Sequence, residues 1–100
     1  MMKLNIVFGG DGEEGVQKQG KRTEELVQTL LKISSKEEME EFLKGILTPK
    51  ELLEIPNRLK IVKMLKKGIA QQEIAQELKV GVATVTRGSM ELKKGRFISV

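Results

Sequence analysis

Any chemistry in this chain would fall to carboxylates, amines and guanidinium groups, because its 100 residues include no Cys and no His. That removes a thiolate nucleophile, an imidazole general base, a disulfide framework and the usual zinc donor sets. Asp11 is the single aspartate and lies in a Gly-rich stretch, while the 13 glutamates fall mostly at helix-surface spacing. A general acid working with a general base needs two carboxylates converging in a cleft. Here such a pair would have to be assembled from residues that look solvated, so the chain is expected not to be an enzyme and to carry no metal or cofactor.

The cations are more informative. The net charge of +4 divides unevenly: residues 1–56 hold eight Lys/Arg against eleven Asp/Glu, and residues 57–100 hold ten against three, so a −3 half precedes a +7 half. A basic half fits a polyanionic partner, and it equally fits a solvated Lys-rich surface. Residues 71–90 read QQEIAQELKVGVATVTRGSM and bear on that choice. With Gln71 opening a helix-turn-helix, the positions that must be apolar or small hold Ile74, Ala75, Leu78, Val80, Val82 and Val85. Ala75 must be small because two helices cross steeply over it. The turn near Lys79 ordinarily uses glycine to reach positive φ, and Gly81 is positioned to absorb part of the bend. The second helix of the unit, from about Val82 to Lys93, would present Ala83, Thr84 and Thr86 near its N-terminus. Short hydroxyl and methyl side chains there permit close approach to base edges in the major groove. Gln71, Gln72, Val82 and Lys93 complete the expected DNA-facing set, with Lys66, Lys67 and Lys94 around the rim for phosphates. An ordinary helical hairpin would give the same apolar pattern, but pattern and basic charge coincide in the same residues, which favours double-stranded DNA.

These residues need helices to position them. Leu26, Val27, Leu30 and Leu31 form one apolar stripe in a helix starting at Thr23. Ser35-Lys36-Glu37-Glu38 is a capping box opening a second helix over about residues 36–45, with Met39, Phe42, Leu43 and Ile46 on one face. Thr48-Pro49-Lys50-Glu51 is another capping box, with Pro49 at the first helical position. Leu52, Ile55, Leu59, Val62 and Leu65 continue that helix, Pro56 predicts a kink or a break in it, and Gly68 closes it after Lys66 and Lys67. The fold class is therefore all-α with a helix-turn-helix unit.

Residues 1–22 contain five of the ten glycines and read as a flexible arm. Within them Gly10-Asp11-Gly12-Glu13-Glu14-Gly15 satisfies G-x-G-x-x-G, but a dinucleotide site needs a following βαβ unit, and nothing downstream alternates like a strand. The opening residues 1–8 form too short an apolar segment for a signal sequence, and no run approaches the ~18 residues that span a bilayer. A cytoplasmic protein without membrane contact is the expectation.

Leu47-Thr48-Pro49 with Glu51 and Arg58, then Ile61-Val62, Gly68, Ala83-Thr84-Val85-Thr86-Arg87-Gly88-Ser89 and Leu92-Lys93 resemble the tryptophan operon repressors and their shorter repressor-like relatives. The resemblance covers about residues 24–95. It implies an intertwined helical homodimer, a transcriptional repressor that reads operator DNA with L-tryptophan as corepressor. The domain would span residues 23–95, with the helix-turn-helix at about 71–93 and a tail over 96–100. By matching positions, Arg58 and Arg87 would sandwich the indole, with Arg87 and Thr48 meeting the ligand carboxylate. Ile46 and Leu47 of the other subunit would offer carbonyls to the ammonium, and Gly88 would leave room near the ring. Read without the family, Arg58 would pair with Glu54 or Glu51, and Arg87 would contact a phosphate. The chain departs from the family pattern in three ways. Glu91 replaces a small hydroxyl residue, and could pair with the ligand ammonium or crowd it. The turn before Gln71 is one residue shorter, and residues 96–100 stand where a further helix is expected. A repressor-like DNA-binding dimer with another effector or none, and a helical protein-interaction module, are the alternatives.

Overall fold

The computed structural model describes residues 12–100, and over these it holds α1 (Gly12–Lys32), α2 (Lys36–Ile46), α3 (Pro49–Lys66), α4 (Gln71–Leu78) and α5 (Val82–Lys93). No strand occurs among the described residues, in keeping with the all-α expectation. The chain forms two compact units, one ending at Phe42 and the other spanning Leu43–Val100.

In the first unit α1 starts at Gly12, well ahead of the Thr23 start that the apolar stripe indicates. Residues 12–22 are rich in Glu, Gln, Lys and Arg, whose helix propensity offsets the glycines at 15 and 20. Gly12 to Gly15 of the glycine motif thus belong to a helix, while its first two residues and the segment 3–8 lie outside the described residues. The stripe itself is not buried within one chain: Leu26 and Val27 are exposed, and Leu31 is 73% exposed. At the start of α2 the Ser35 hydroxyl accepts from the Glu38 N–H at 3.0 Å, the hydroxyl half of the expected box.

In the second unit α3 is capped by a complete box. Thr48 Oγ1 accepts from the Glu51 N–H at 3.1 Å, and the Glu51 carboxylate accepts from the Thr48 N–H at 2.9 Å. Of the expected kink or break, no break occurs: α3 is one continuous helix through Pro56. Residues 55–60 are exposed, so solvent can satisfy the Leu52 carbonyl that Pro56 leaves without a donor.

The core gathers Ile61 and Met64 of α3, Ile74 and Ala75 of α4 and Val85 of α5, with Leu65, Ile69, Leu78 and Val80 packed against it. The apolar positions expected of a helix-turn-helix therefore lie in this core or packed against it, with one correction. Val82 is 46% exposed, because it opens α5 a full turn before Val85 and lies beyond the edge of this cluster.

The turns on either side of α4 are both Schellman closures, in which a left-handed residue lets two N–H groups reach back to the last carbonyls of the helix. After α3, Gly68 (φ 83) donates to Leu65 O and Ile69 to Met64 O. After α4 the same pattern recurs, Lys79 to Gln76 O and Val80 to Ala75 O, but the left-handed residue is Lys79 itself (φ 56). Gly81 does not absorb the bend: its φ of −70 is ordinary and it serves as the N-cap position of α5.

Candidate functional site

Two features of the second unit adjoin one another. The first is the exposed start of α5, where Ala83, Thr84 and Thr86 reach solvent beside exposed Gln72 and half-buried Gln71. Thr86 Oγ1 donates to Gln71 Oε1 at 2.7 Å, so two of the expected base-reading side chains, one from each helix, are tied together. Lys67 and Lys93 are exposed on the same unit. Lys66 and Lys94 are not open rim lysines: Lys66 Nζ donates to the backbone oxygens of Phe97 and Val100 at 2.6 Å each, and Lys94 Nζ pairs with Glu91 at 3.2 Å.

The second feature is a cavity of about 590 Å³ between α3 and α5. Arg58 and Arg87 border it from opposite helices, and Ile55, Leu59 and Val62 give it an apolar floor. Two guanidinium groups and aliphatic side chains lining one cavity suit a flat aromatic ring carrying an anionic group. Gly88 lines the cavity too, and its role is wider than leaving space. A Cβ there would lie 3.1 Å from Ile61 Cγ2, so the glycine also sets how closely α5 packs on α3. The two glutamates that compete for Arg58 have nearer partners. Glu51 is committed to Thr48, and Glu54 lies 3.8 Å from Lys50 Nζ. Ile46, Leu47 and Thr48 are not among the residues lining the cavity, and Thr48 is occupied in capping α3.

Sequence reasoning missed Phe97 and Val100, which line the cavity; Glu91, expected beside the ligand, lines it too, and Thr84 borders it from the reading end of α5. Glu91 Oε1 accepts from Arg96 Nε at 2.7 Å while its Oε2 meets Lys94. Its carboxyl is held below the ordinary glutamate range, first by the Lys94 hydrogen bond and then, against partial desolvation, by Arg96. Glu51 is lowered in the same direction, chiefly by the Thr48 backbone N–H and then by the Thr48 side chain, with a smaller contribution from Arg58. Among the described residues no cluster of three or more acidic side chains could hold a metal ion, and no helix is long and apolar enough to cross a membrane.

The sequence pattern of the Trp repressor protein family matches residues 21–96, which takes in the start of α5 and the cavity lining except Phe97 and Val100. The chain belongs to this family. Its relatives include proteins named Trp operon repressor homolog. That of Vibrio campbellii is 37% identical over 71 residues, 70% of this chain and 71% of the relative. That of Actinobacillus succinogenes is 41% identical over 68 residues, 67% of each. The Vibrio vulnificus homolog is 49% identical over 49 residues, and there the chain spans about half the length of the relative, 48%. Within the family match fall Arg58, Arg87 and Gly88 as well as Thr84 and Thr86.

Proposed function

We propose that the chain is a sequence-specific DNA-binding transcriptional repressor that acts as a homodimer and takes L-tryptophan as corepressor in the cavity between α3 and α5. The observation that carries this reading is a shared wall. Thr84, on the exposed start of α5, borders the same cavity as Arg58 and Arg87, so a ligand filling the cavity presses on the helix that would read DNA. Linkage requires only that tryptophan bind the DNA-competent geometry more tightly than the free one; equal affinity would shift nothing.

In this reading Arg58 and Arg87 stack on the indole and Arg87 meets the ligand carboxylate, while Thr48, outside this cavity and committed to capping α3, is not assigned to the ligand. Ile46 and Leu47, exposed or half-buried at the end of α2, offer carbonyls across the dimer, and Gly88 keeps the ring pocket open. Gln71, Gln72, Val82, Ala83, Thr84, Thr86 and Lys93 face the operator. The homodimer is supported by the stripe Leu26, Val27 and Leu31, which one copy leaves in water; a second copy would bury it, at about 25 cal/mol per Å² of apolar area. The repressor-like domain occupies residues 23–95, and a DNA target puts its work in the cytoplasm.

The test is fluorescence anisotropy on a duplex selected from a randomised pool by the protein, titrated with and without saturating L-tryptophan. Tighter binding with tryptophan, lost in Arg87→Ala, is expected. Unchanged affinity would remove the corepressor and leave a repressor-like dimer with another effector or none. That second reading draws on Glu91, which lines the cavity where the resemblance implies a small hydroxyl residue. Failure to enrich any duplex would remove DNA recognition itself and favour a protein-interaction module.

A further inference from the structure

We infer that Phe97 is a ring-contacting residue of the effector cavity, and that Glu91, Arg96 and Lys66 form the latch that holds it there. The inference rests on the proposed effector site and adds to it a wall made by Phe97 and Val100. α5 closes on Gly95 (φ 80), whose N–H donates to Leu92 O while the Arg96 N–H reaches Glu91 O at 3.4 Å. This left-handed closure turns the chain back along the helix it has just left. Arg96 then lies beside Glu91, with Nε 2.7 Å from Oε1.

The other fastening comes from α3. Lys66, in its last turn, donates to the backbone oxygens of Phe97 and Val100. The segment is thus tied to both helices that flank the cavity, and the two ties fix which side chains point inward. Phe97 is half-buried and lines the cavity, while its neighbour Ile98 is 86% exposed. An aromatic face added to a site that already has two guanidinium groups favours a planar aromatic ligand, through edge and face contacts worth more than area alone. Glu91 has a different part. Each of its carboxylate oxygens already meets a cation of its own chain, so it is a positioning residue acting through Arg96 rather than a partner for the ligand's ammonium.

The test is a titration of the full chain with L-tryptophan, following the ligand's own indole emission; the protein has no Trp or Tyr to obscure it. Phe97→Ala is expected to weaken binding about tenfold and Phe97→Tyr to restore most of it. Glu91→Gln is expected to weaken binding several-fold, and the Glu91→Gln/Phe97→Ala double variant to bind no worse than Phe97→Ala alone, because Glu91 acts through the segment that carries the ring. Wild-type affinity or tighter binding in Phe97→Ala, or losses that simply add, would overturn the inference while leaving the effector site in place. No tryptophan binding by the wild-type chain would overturn both, and is distinguished by that control.

Discussion

Thr86 and Gln71 are joined by a hydrogen bond of 2.7 Å from the Thr86 hydroxyl to the Gln71 side-chain oxygen, linking the first residue of α4 to the exposed face of α5. The bond fixes the rotamers of two side chains that the proposed function assigns to base edges. It lowers the entropy either would lose on binding DNA. Operator affinity should therefore fall in Gln71→Ala and in Thr86→Ala, but the double variant should lose less than the sum. In the free protein the same cycle should give a coupling of about 0.5 to 1.5 kcal/mol by urea unfolding. Strict additivity in both experiments would mean that the bond does not persist in solution.

Lys79 holds a left-handed conformation that costs a residue with a Cβ roughly 1 to 2 kcal/mol. Glycine escapes that cost but brings more chain entropy to the unfolded state, about 0.5 to 1 kcal/mol. Lys79→Gly should raise stability by up to about 1 kcal/mol, read as a higher urea midpoint at unchanged slope. Lys79→Val should lower it, since branching at Cβ makes positive φ still less accessible.

At Gly88 two terms oppose one another. Alanine gains roughly 1 kcal/mol of helix propensity, but its Cβ would lie 3.1 Å from Cγ2 of buried Ile61, which would have to shift to admit it. Overpacking of that kind costs about 1 to 3 kcal/mol. Gly88→Ala should therefore destabilise by about 1 kcal/mol in thermal unfolding, whereas Gly45→Ala, with open space around its Cβ, should be neutral or stabilising.

The capping box gives stability a pH dependence with a defined sign. Glu51 is lowered in the folded state by Thr48, so its contribution is complete above the unfolded-state value, about 4.3. It is lost as the pH falls through the lower folded value. Glu91 acts in the same sense. Stability should decline on acidification below about pH 4.3, and Glu51→Gln and Glu91→Gln should each flatten that decline. Thr48→Ala should cost about 1 kcal/mol at neutral pH through loss of the cap.

DNA binding by a +7 half should be strongly salt-dependent, since each neutralised phosphate releases about 0.9 counterion. Lys93→Ala should reduce the slope of log affinity against log salt by about one. Lys66→Ala should leave that slope nearly unchanged, because Lys66 is bound to backbone oxygens of the chain's last residues.

Local physics made much of this readable from the sequence. Thr48 and Glu51 are close in the chain, and their reciprocal bonds need no tertiary context. The period of Ile74, Ala75, Leu78 and Val85 followed from helical geometry and from the need to fill the wedge between α4 and α5. Where a reading depended on one residue's chemistry in isolation, it was less reliable. Pro56 predicts a kink or a break, and α3 runs unbroken through it on an exposed stretch. Gly81 looked like the flexible point of the turn, yet the left-handed residue is Lys79, the position at which the Schellman bonds must close.

The sequence alone determined that this is a helical protein without Cys or His, with an acidic and a basic half, and where four of its helices begin, because composition, periodicity and capping are properties of neighbouring residues. Only the tertiary structure decided that Arg58 and Arg87 face one cavity, that Gly88 is pressed against Ile61, and that Phe97 and Glu91 complete the wall. Those relations join residues far apart in the chain. Their positions depend on how α3, α5 and the closing turn at Gly95 pack together, and no local pattern encodes that packing.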